Sequence, residues 1–185
     1  MTAPPATAPL RLGTRVALRR LAPSDLEPFQ AYRNDPQIGQ FQDWALMGRD
    51  EALGFLSRMS RLEPVLRPGQ WGQIAIADAG SNDLLGDMGL FLSQDGSEAE
   101  VGITLAAPHH GKGLASEAMQ LAMTFVFDTA PVRRIICGAD DRNLASLRLI
   151  KRLGFNWTHT ETMEDGARDE IFAMTRQEFD SSRTS

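Results

Sequence analysis

The feature that most constrains this chain is a glycine-rich turn at residues 108–118 (PHHGKGLASEA), which leads directly into an amphipathic helix. Gly111 and Gly113 lack a Cβ atom, so the backbone there can take left-handed dihedral angles and approach a ligand closely. The first turn of the following helix leaves free backbone N–H groups at the same place, where the helix dipole favours negative charge. We therefore predict that this turn holds phosphate groups.

Two well-known phosphate-binding motifs do not match this turn. A Walker-type loop needs Ser or Thr after its lysine, whereas Gly113 follows Lys112 here. A Rossmann fingerprint needs a third glycine where this chain has Ser116, and it belongs to the first strand–helix turn of a domain. An ordinary structural turn between a strand and a helix stays open as the alternative at this point.

A second segment supplies the context that the turn alone lacks. Residues 132–139 (VRRIICGA) have the composition of a buried strand. A predicted helix follows, which begins after Asn143, contains Ser146 and ends at Gly154-Phe155. In their order and spacing, the turn and this second segment together resemble the Gcn5-related N-acetyltransferase (GNAT) superfamily.

Two further segments narrow the resemblance: residues 15–20 (RVALRR) and residues 85–87 (LGD). With them, the chain resembles the Rim-type subgroup, which acetylates the N-termini of ribosomal proteins and has many relatives that act on small amines. The resemblance implies one acetyltransferase domain at residues 11–178, between tails at residues 1–10 and 179–185. The first tail is rich in proline and small residues and is predicted to be disordered.

The composition fits one soluble domain and excludes several other classes of protein. The 185 residues are 42% hydrophobic and 23% charged, which is enough to build one core. No apolar run approaches the roughly 18 residues of a membrane span, and the first residues lack the regions of a secretory signal. The net charge of −5 argues against nucleic-acid binding. Cys137 is the only cysteine, which favours a core thiol and a cytoplasmic location.

Hydrophobic periodicity predicts a mixed α/β fold. Strands are predicted at residues 14–20, 71–77, 84–92, 99–105 and 132–139, followed by a hairpin of residues 155–163 and 169–174. Helices are predicted at residues 24–33, 49–61 and 144–153 and after the glycine turn, and residues 34–48 are predicted to be irregular. Ser24 to Glu27 has the spacing of a capping box. The resemblance implies a mostly antiparallel sheet of about seven strands, splayed at one parallel pair and flanked by about four helices.

The resemblance also implies that acetyl-coenzyme A is the cosubstrate and that no metal is used. The pyrophosphate would be held by the backbone of the turn, at Gly111, Lys112, Gly113, Leu114 and Ala115. The family usually has Gln or Arg three residues before the first loop glycine, where this chain has Pro108, so one side-chain contact is lost or replaced. A backbone N–H of Ile103 or Thr104, where the parallel strands splay, would polarise the thioester carbonyl group.

Two residues are predicted to transfer protons. Glu100 is the candidate general base, acting through water on an alkylammonium group, although an ordinary surface glutamate stays open and Asp87 and Glu98 are weaker candidates. Ser146 matches the serine that the subgroup has where other members of the superfamily use a tyrosine as general acid. Asn143, three residues earlier, would bond to the cofactor arm, and it is also a suitable N-cap for the helix.

The acceptor is predicted to be a primary amine, either a protein N-terminus or a small molecule. Phe41 and Trp44, with Tyr32 as a weaker candidate, would contact it, whereas His109 and His110 are expected to be packing or solvent residues. Because no cysteine is placed to carry an acyl group, we expect direct attack in a ternary complex. A non-catalytic module that senses acyl-coenzyme A is the alternative, and a homodimer is compatible with the family.

Overall fold

A computed structural model of the chain describes residues 8–42, 44–163 and 166–183. The strands are β1 (Pro9–Leu12), β2 (Val16–Arg20), β3 (Gln70–Asp78), β4 (Leu84–Leu92), β5 (Glu98–Leu105), β6 (Arg134–Asp140), β7 (Asn156–Thr162) and β8 (Arg168–Thr175). The helices are α1 (Leu26–Arg33), α2 (Pro36–Gly39), α3 (Arg49–Ser60), α4 (Leu114–Thr129), α5 (Leu144–Arg152) and α6 (Arg176–Ser182). None of these helices is long and apolar enough to cross a membrane.

All eight strands form one sheet in the order β1-β2-β3-β4-β5-β6-β8-β7. Neighbouring strands run antiparallel except β5 and β6, which are parallel and are connected through α4. The predicted mixed α/β fold with one parallel pair is therefore confirmed. The described residues form eight strands and six helices, where the sequence predicts about seven and about four.

The sheet has a hydrophobic core on each side. On one side α4 packs a stripe of residues at helical spacing against the strands, including Ala118, Met119 and Ala122. On the other side α1 and α3 bring residues such as Phe29 and Leu56 against the sheet. Helices on both faces explain why β4 is buried along almost its whole length instead of alternating between buried and exposed residues.

Both ends of the domain differ from the predicted boundaries. Residues 1–7 of the predicted disordered tail lie outside the described ranges, and Pro9 pairs with Arg19 in the sheet. Residues 179–182, assigned from sequence to a tail, belong to α6, and Phe179 is buried in the core. A capping box at Thr175 and Glu178 begins this helix.

Two local predictions in the first third of the chain were wrong. The capping box predicted at Ser24 does not form. Instead the Asp25 carboxylate accepts the Ala22 N–H at 2.8 Å, in a 3₁₀ turn that precedes α1. The segment at residues 34–48 is not wholly irregular, because Pro36 at the first helical position and the Asp35 side chain, which accepts the Gln37 N–H, begin the short helix α2.

The parallel pair β5–β6 separates after a short contact. The two strands are in register only from Glu98 and Arg134 to Glu100 and Ile136, although β5 continues to Leu105 and β6 to Asp140. Beyond Glu100 the edge of β5 therefore faces a gap instead of a neighbouring strand. The splay that the resemblance implies is confirmed, and it opens the sheet beside the glycine turn.

A buried ion pair ties the start of α1 to the sheet. Arg19 in β2 is 2% exposed, and its guanidinium forms two 2.8 Å hydrogen bonds with the Asp25 carboxylate. Its other N–H groups donate to Asn82 Oδ1, the Asn82 carbonyl and the Arg20 carbonyl. A buried cation is tolerated in a core only when its donors are satisfied in this way.

We predict that Asp25→Ala destabilises the protein by about 3 kcal/mol, because it leaves Arg19 buried without its counter-charge. The matched control is Glu27→Ala, which removes the exposed 2.6 Å ion pair with Arg49 and should cost less than about 1 kcal/mol. Urea unfolding of both variants measures the difference. Equal losses in the two variants would contradict a structural role for the buried pair.

Candidate functional site

A cleft of about 1000 Å³ opens where β5 and β6 separate. Its walls are the end of β5, the glycine turn with the first turn of α4, the first half of α5, and the segment around α2 at residues 37–42. The cleft brings together most of the predicted site residues: Phe41, Ile103, Thr104, Gly111, Gly113, Leu114, Ala115, Asn143 and Ser146. Lys112, Glu100 and Trp44 are not among the described residues that line it.

The glycine turn has the conformation that its sequence predicts. Gly111 has φ +71° and Gly113 has φ +77°, both in the left-handed region that favours glycine. A Cβ atom built on Gly111 would meet no protein atom within 4 Å, so the space above this residue is open to the cleft. Within the part of the chain that the structure describes, no backbone N–H from Gly111 to Ser116 donates a hydrogen bond. The turn therefore offers free donors to an anion.

A side chain from the start of β2 holds the carbonyl groups of this turn. Arg15 Nη1 donates to the Lys112 carbonyl at 2.8 Å, and Arg15 Nη2 lies 3.4 Å from the Gly113 carbonyl. Its Nε donates to Glu117 Oε2 at 2.9 Å, and its backbone N–H donates to Glu117 Oε1 at 2.7 Å. Because the carbonyl groups point at Arg15, the N–H groups of the turn are left to face the cleft.

Glu117 holds Arg15 in place, and the two side chains together form a clamp on the glycine turn. Burial raises the pKa of its carboxyl group, but the hydrogen bonds from Arg15 outweigh burial, and the pKa is lowered overall. Gly13 is required beside it, because a Cβ atom there would lie 2.7 Å from Glu117 Oε1. Sequence reasoning missed Arg15 and Glu117 as a pair, since 102 residues separate them and no local pattern links the two.

The histidines beside the turn have structural contacts. His110 Nε2 lies 2.7 Å from the Leu105 carbonyl oxygen and so connects the turn to the end of β5. Burial and the nearby positive charge of Lys112 lower the pKa of His109. Both rings line the cleft, so they are not simply solvent residues.

The backbone hydrogen bonds of β5 show which of the two candidate N–H groups, that of Ile103 or that of Thr104, points away from β4. The Ala106 N–H donates to the Leu85 carbonyl, towards β4. Alternate N–H groups of a strand point to the same side, so Thr104 also donates towards β4 and Ile103 points the opposite way. Ile103 lies beyond the last paired residue, Glu100, so its N–H faces the gap between the strands.

Asn143 and Ser146 lie opposite the glycine turn, at the start of α5. Asn143 Oδ1 accepts the Ser146 backbone N–H at 3.1 Å, so the predicted N-cap is confirmed. Neither the Asn143 side-chain amide nitrogen nor the Ser146 hydroxyl makes a hydrogen bond with any residue that the structure describes. Both groups line the cleft and are available to a ligand.

Glu100 lies on β5 outside the cleft lining, three residues before Ile103 and so about 10 Å away along an extended strand. Partial burial of its carboxyl group raises its pKa, and the negative charges of Glu161 and Asp169 raise it further. No hydrogen bond or ion pair joins its side chain to the described residues.

The weaker candidates for a base are already engaged. Asp87 is 1% exposed, and its carboxylate accepts hydrogen bonds from Tyr32, Arg33 and Gln73. Glu98 forms an ion pair with Arg134 at 2.5 Å. Of these three carboxylates, Glu100 alone has no such partner among the described residues.

The aromatic residues predicted to bind the acceptor divide into two groups. Phe41 lines the cleft, whereas Tyr32 is buried with its hydroxyl 2.5 Å from Asp87. Trp44 stacks on the Arg33 guanidinium at 3.8 Å and donates its indole N–H to the Arg33 carbonyl. The structure therefore places Phe41 in the cleft, and it places Tyr32 and Trp44 in the packing behind it.

Comparison with known proteins agrees with this geometry. The model of the acetyltransferase (GNAT) domain family matches residues 15–156. Among curated proteins, the uncharacterized N-acetyltransferase p20 of Bacillus licheniformis is 24% identical over 142 residues, which cover 76% of this chain and 79% of that protein.

Solved structures share the fold at low sequence identity. A RimL ribosomal L7/L12 alpha-N-protein acetyltransferase in complex with coenzyme A has a TM-score of 0.78 at 16% identity, covering 92% of this chain and 99% of that one. The spermidine N-acetyltransferase from Vibrio cholerae, in complex with coenzyme A and spermine, has a TM-score of 0.77 at 17% identity, covering 90% and 99%. At these identities the likeness establishes the fold, and function has to be argued from the site.

We predict that Arg15 and Glu117 are energetically coupled. A double-mutant cycle of Arg15→Gln and Glu117→Gln should give a coupling free energy of about 1.5 kcal/mol at pH 7, since charge-assisted hydrogen bonds are lost. The lowered pKa of Glu117 means that this stabilisation is present above the unfolded-state pKa and is lost as the pH falls through the folded-state pKa. Urea unfolding at several pH values measures it.

The matched control is the cycle for Arg11 and Asp128, an ion pair at 2.5 Å that also joins the N-terminal region to α4 and whose carboxylate is more exposed than that of Glu117. Its coupling should stay below about 1 kcal/mol. A coupling for Arg15 and Glu117 that is no larger, or that does not fall at acidic pH, would contradict the clamp.

Proposed function

The chain belongs to the GNAT acetyltransferase domain family and is an acyltransferase, and we propose that it transfers an acetyl group from acetyl-coenzyme A to a primary amine. The observation that carries the proposal is the pairing of a splayed parallel strand pair with a turn of free N–H groups at one cleft. The non-catalytic sensor module left open by the sequence is set aside, because the curated relatives are named as N-acetyltransferases.

The glycine turn suits the pyrophosphate of the coenzyme. The free N–H groups of Gly111, Lys112, Gly113, Leu114 and Ala115 would donate to its oxygens. The open space above Gly111 allows the anion to approach the backbone closely. This cradle uses main-chain atoms, which explains how the chain can have Pro108 where the family usually has a polar side chain.

The gap between β5 and β6 suits the acyl end of the coenzyme. Acetyl-coenzyme A supplies the acetyl group as a thioester. The Ile103 N–H faces the gap and would donate to the carbonyl oxygen, where negative charge develops during the transfer, and Thr104 would contribute as a wall of the cleft. The Asn143 amide nitrogen would donate to the arm of the coenzyme while its Oδ1 keeps the cap of α5.

Proton transfer is assigned to Glu100 and Ser146. Glu100 would accept the proton of the ammonium group through water, which frees the nitrogen lone pair to form the new C–N bond. Ser146 would donate a proton to the sulfur atom as the C–S bond breaks. Cys137 is 2% exposed, and burial raises its thiol pKa to about 12, so it is a poor carrier for an acyl group. These features favour direct attack in a ternary complex.

For the acceptor, we propose a protein N-terminus or a small-molecule amine, as in the Rim-type subgroup. Two structural neighbours bracket this range, since one is named for ribosomal L7/L12 and the other for spermidine. Phe41 would contact the acceptor, and Trp44 would act behind it by holding the segment around α2. A cytoplasmic location would keep the single thiol reduced.

We predict that the wild-type protein binds acetyl-coenzyme A and that Gly111→Val weakens binding at least tenfold, or about 1.4 kcal/mol. The new side chain would occupy the space that the anion needs, and the left-handed backbone would be strained. Isothermal titration calorimetry measures both proteins.

The matched control is Gly96→Val. Gly96 has φ +70°, a Cβ atom there would also meet nothing within 4 Å, and it lies in the turn before β5, outside the cleft lining. It carries the same backbone strain and should bind normally. Absence of binding by the wild-type protein would show that acetyl-coenzyme A is not the cosubstrate. Normal binding by Gly111→Val would show that the pyrophosphate does not bind at the glycine turn.

We predict that Glu100→Gln lowers kcat by about 100-fold or more, the usual scale for a general base. In the wild type, the rate should fall on the acidic side at a pH above the ordinary pKa of a glutamate, because the pKa of Glu100 is raised. Glu98→Gln, on the same strand but in an ion pair with Arg134, should keep the rate and its pH profile.

Although Glu100→Gln should lower kcat, we predict that it stabilises the folded protein at neutral pH. Because the pKa of Glu100 is raised in the folded state, the folded protein favours the protonated carboxyl group. Its contribution to the free energy of unfolding is therefore full at low pH and is lost as the pH rises through the folded-state pKa. Glu100→Gln should therefore raise the unfolding midpoint at pH 7 and change it little near pH 4. A variant that loses both activity and stability at pH 7 would show a structural role instead.

A further inference from the structure

Two aromatic side chains form an exposed pair on the sheet. Trp71, at the start of β3, is 52% exposed, although β3 lies between two other strands. Its ring centroid lies 5.4 Å from that of Phe91 in β4, with 38° between the ring planes. The register of β2 with β3 ends at Ile74, before it reaches Trp71. Apolar side chains that are exposed as a group, instead of singly, are typical of a binding surface.

The aromatic pair lies on the same face of the sheet as Glu100. Phe91 is directly opposite Glu100 in the antiparallel register of β4 and β5, which places their Cβ atoms about 5 Å apart. Val101 packs in the core with α4, so Glu100 and Gly102 on either side of it point to the opposite face. The two rings therefore border the carboxylate of Glu100, on the side of the sheet away from α4.

Two opposed glycines leave room beside these rings. Gly89 pairs with Gly102 across β4 and β5. A Cβ atom on Gly89 would lie 3.1 Å from the indole of Trp71, so its absence lets the ring pack directly against the backbone of β4. A Cβ atom on Gly102 would meet no protein atom within 4 Å. Open space therefore lies above Gly102, the residue before Ile103, whose N–H is proposed to bind the thioester carbonyl group.

The charges beside this surface suit a cation. The negative charges of Glu161 and Asp169, together with partial burial, raise the pKa of Glu100. An ammonium group near Glu100 would offset the repulsion among these carboxylates. The aromatic rings next to it favour contact with apolar groups.

The length of the aromatic surface indicates a small ligand. From Trp71 to Glu100 it crosses β3, β4 and β5, which is two strand spacings, or about 10 Å. An extended peptide adds about 3.3 Å with each residue, so it would pass beyond the rings after a few residues. A small amine fits within this length.

We propose that Trp71 and Phe91 bind the body of the acceptor, and that the acceptor is a small primary amine with an apolar group close to its nitrogen. The assignment rests on the proposed function and narrows it. The amino group would lie between Glu100 and the gap at Ile103, and the apolar group would occupy the space above Gly102, against the indole.

The test compares phenethylamine with ethylamine as acceptors, using the full chain and acetyl-coenzyme A. Both amines carry one ammonium group, so the ratio of their kcat/KM values reports the contribution of the apolar body. The wild type should favour phenethylamine about tenfold or more, because an aromatic contact and the burial of apolar surface both contribute. Trp71→Ala should lower this ratio about tenfold, and Trp71→Phe should retain most of it. The ratio within one protein does not depend on the fraction that is folded, so a loss of stability cannot imitate this result.

Trp157→Ala is the matched control. Trp157 is 58% exposed and lies opposite Phe172, which packs in the core with α4, so the two tryptophans are on different faces of the sheet. This variant should keep the wild-type ratio. Gly102→Val is a second test, because its side chain would fill the open space without meeting a protein atom. It should lower kcat/KM for phenethylamine more than for ethylamine and leave the unfolding midpoint unchanged.

Failure of this assignment differs from failure of the proposed function. A wild-type ratio near one, or a ratio that Trp71→Ala leaves unchanged, would overturn the aromatic surface. A wild type that prefers spermidine or a peptide N-terminus to phenethylamine would overturn it too, and the acetyltransferase proposal would stand. If acetyl-coenzyme A binds and none of these amines is acetylated, the aromatic surface is wrong. If acetyl-coenzyme A itself does not bind, the proposed function is overturned as well.

Discussion

The separation of β5 from β6 after Glu100 and Ile136 is the constraint on which the site depends. A strand inside a sheet normally satisfies its N–H groups on both sides, and a buried N–H without a partner costs about 1–3 kcal/mol. Past Glu100, the Ile103 N–H has lost its neighbouring strand, so water or a ligand has to satisfy it. The same separation creates the space into which the glycine turn and α5 both face. A fully paired sheet would be more stable here but would have no cleft.

Two long-range connections hold the walls of this cleft in place. Arg15 and Glu117 bind the glycine turn to the start of β2, so the turn is fixed through its carbonyl groups while its N–H groups stay free. On the other wall, Asp87 binds Tyr32 and Arg33, and Trp44 stacks on Arg33. Each connection uses polar groups that are satisfied within the protein, so the groups facing the cleft are those left for a ligand. Stability and function are thereby assigned to different atoms of the same segments.

The sequence predicted what local patterns encode and missed what distant contacts decide. The positions of the main strands, the periodicity of α4 and the left-handed glycines are properties of short segments, and each was confirmed. The Asn143 cap was predicted for the same reason. The capping box predicted at Ser24 does not form. The neighbouring Asp25 carboxylate accepts the Ala22 N–H instead and is held by Arg19, a contact that no local pattern reveals. The contact between Arg15 and Glu117 was invisible for the same reason.

The two halves of the site differ in how far a sequence can describe them. The half proposed to bind the coenzyme uses backbone atoms, whose exposure requires glycine at Gly111 and Gly113 and a capping residue at Asn143, and such requirements leave a recognisable sequence pattern. The half proposed to bind the acceptor consists of side chains on the segment around α2, whose position depends on Arg33 and Asp87 in other elements. Substitutions on that segment can change the acceptor while Arg15, the glycine turn and α5 keep the coenzyme half intact. A resemblance based on the glycine turn therefore indicates acetyl transfer from a coenzyme, but it does not indicate which amine accepts the acetyl group.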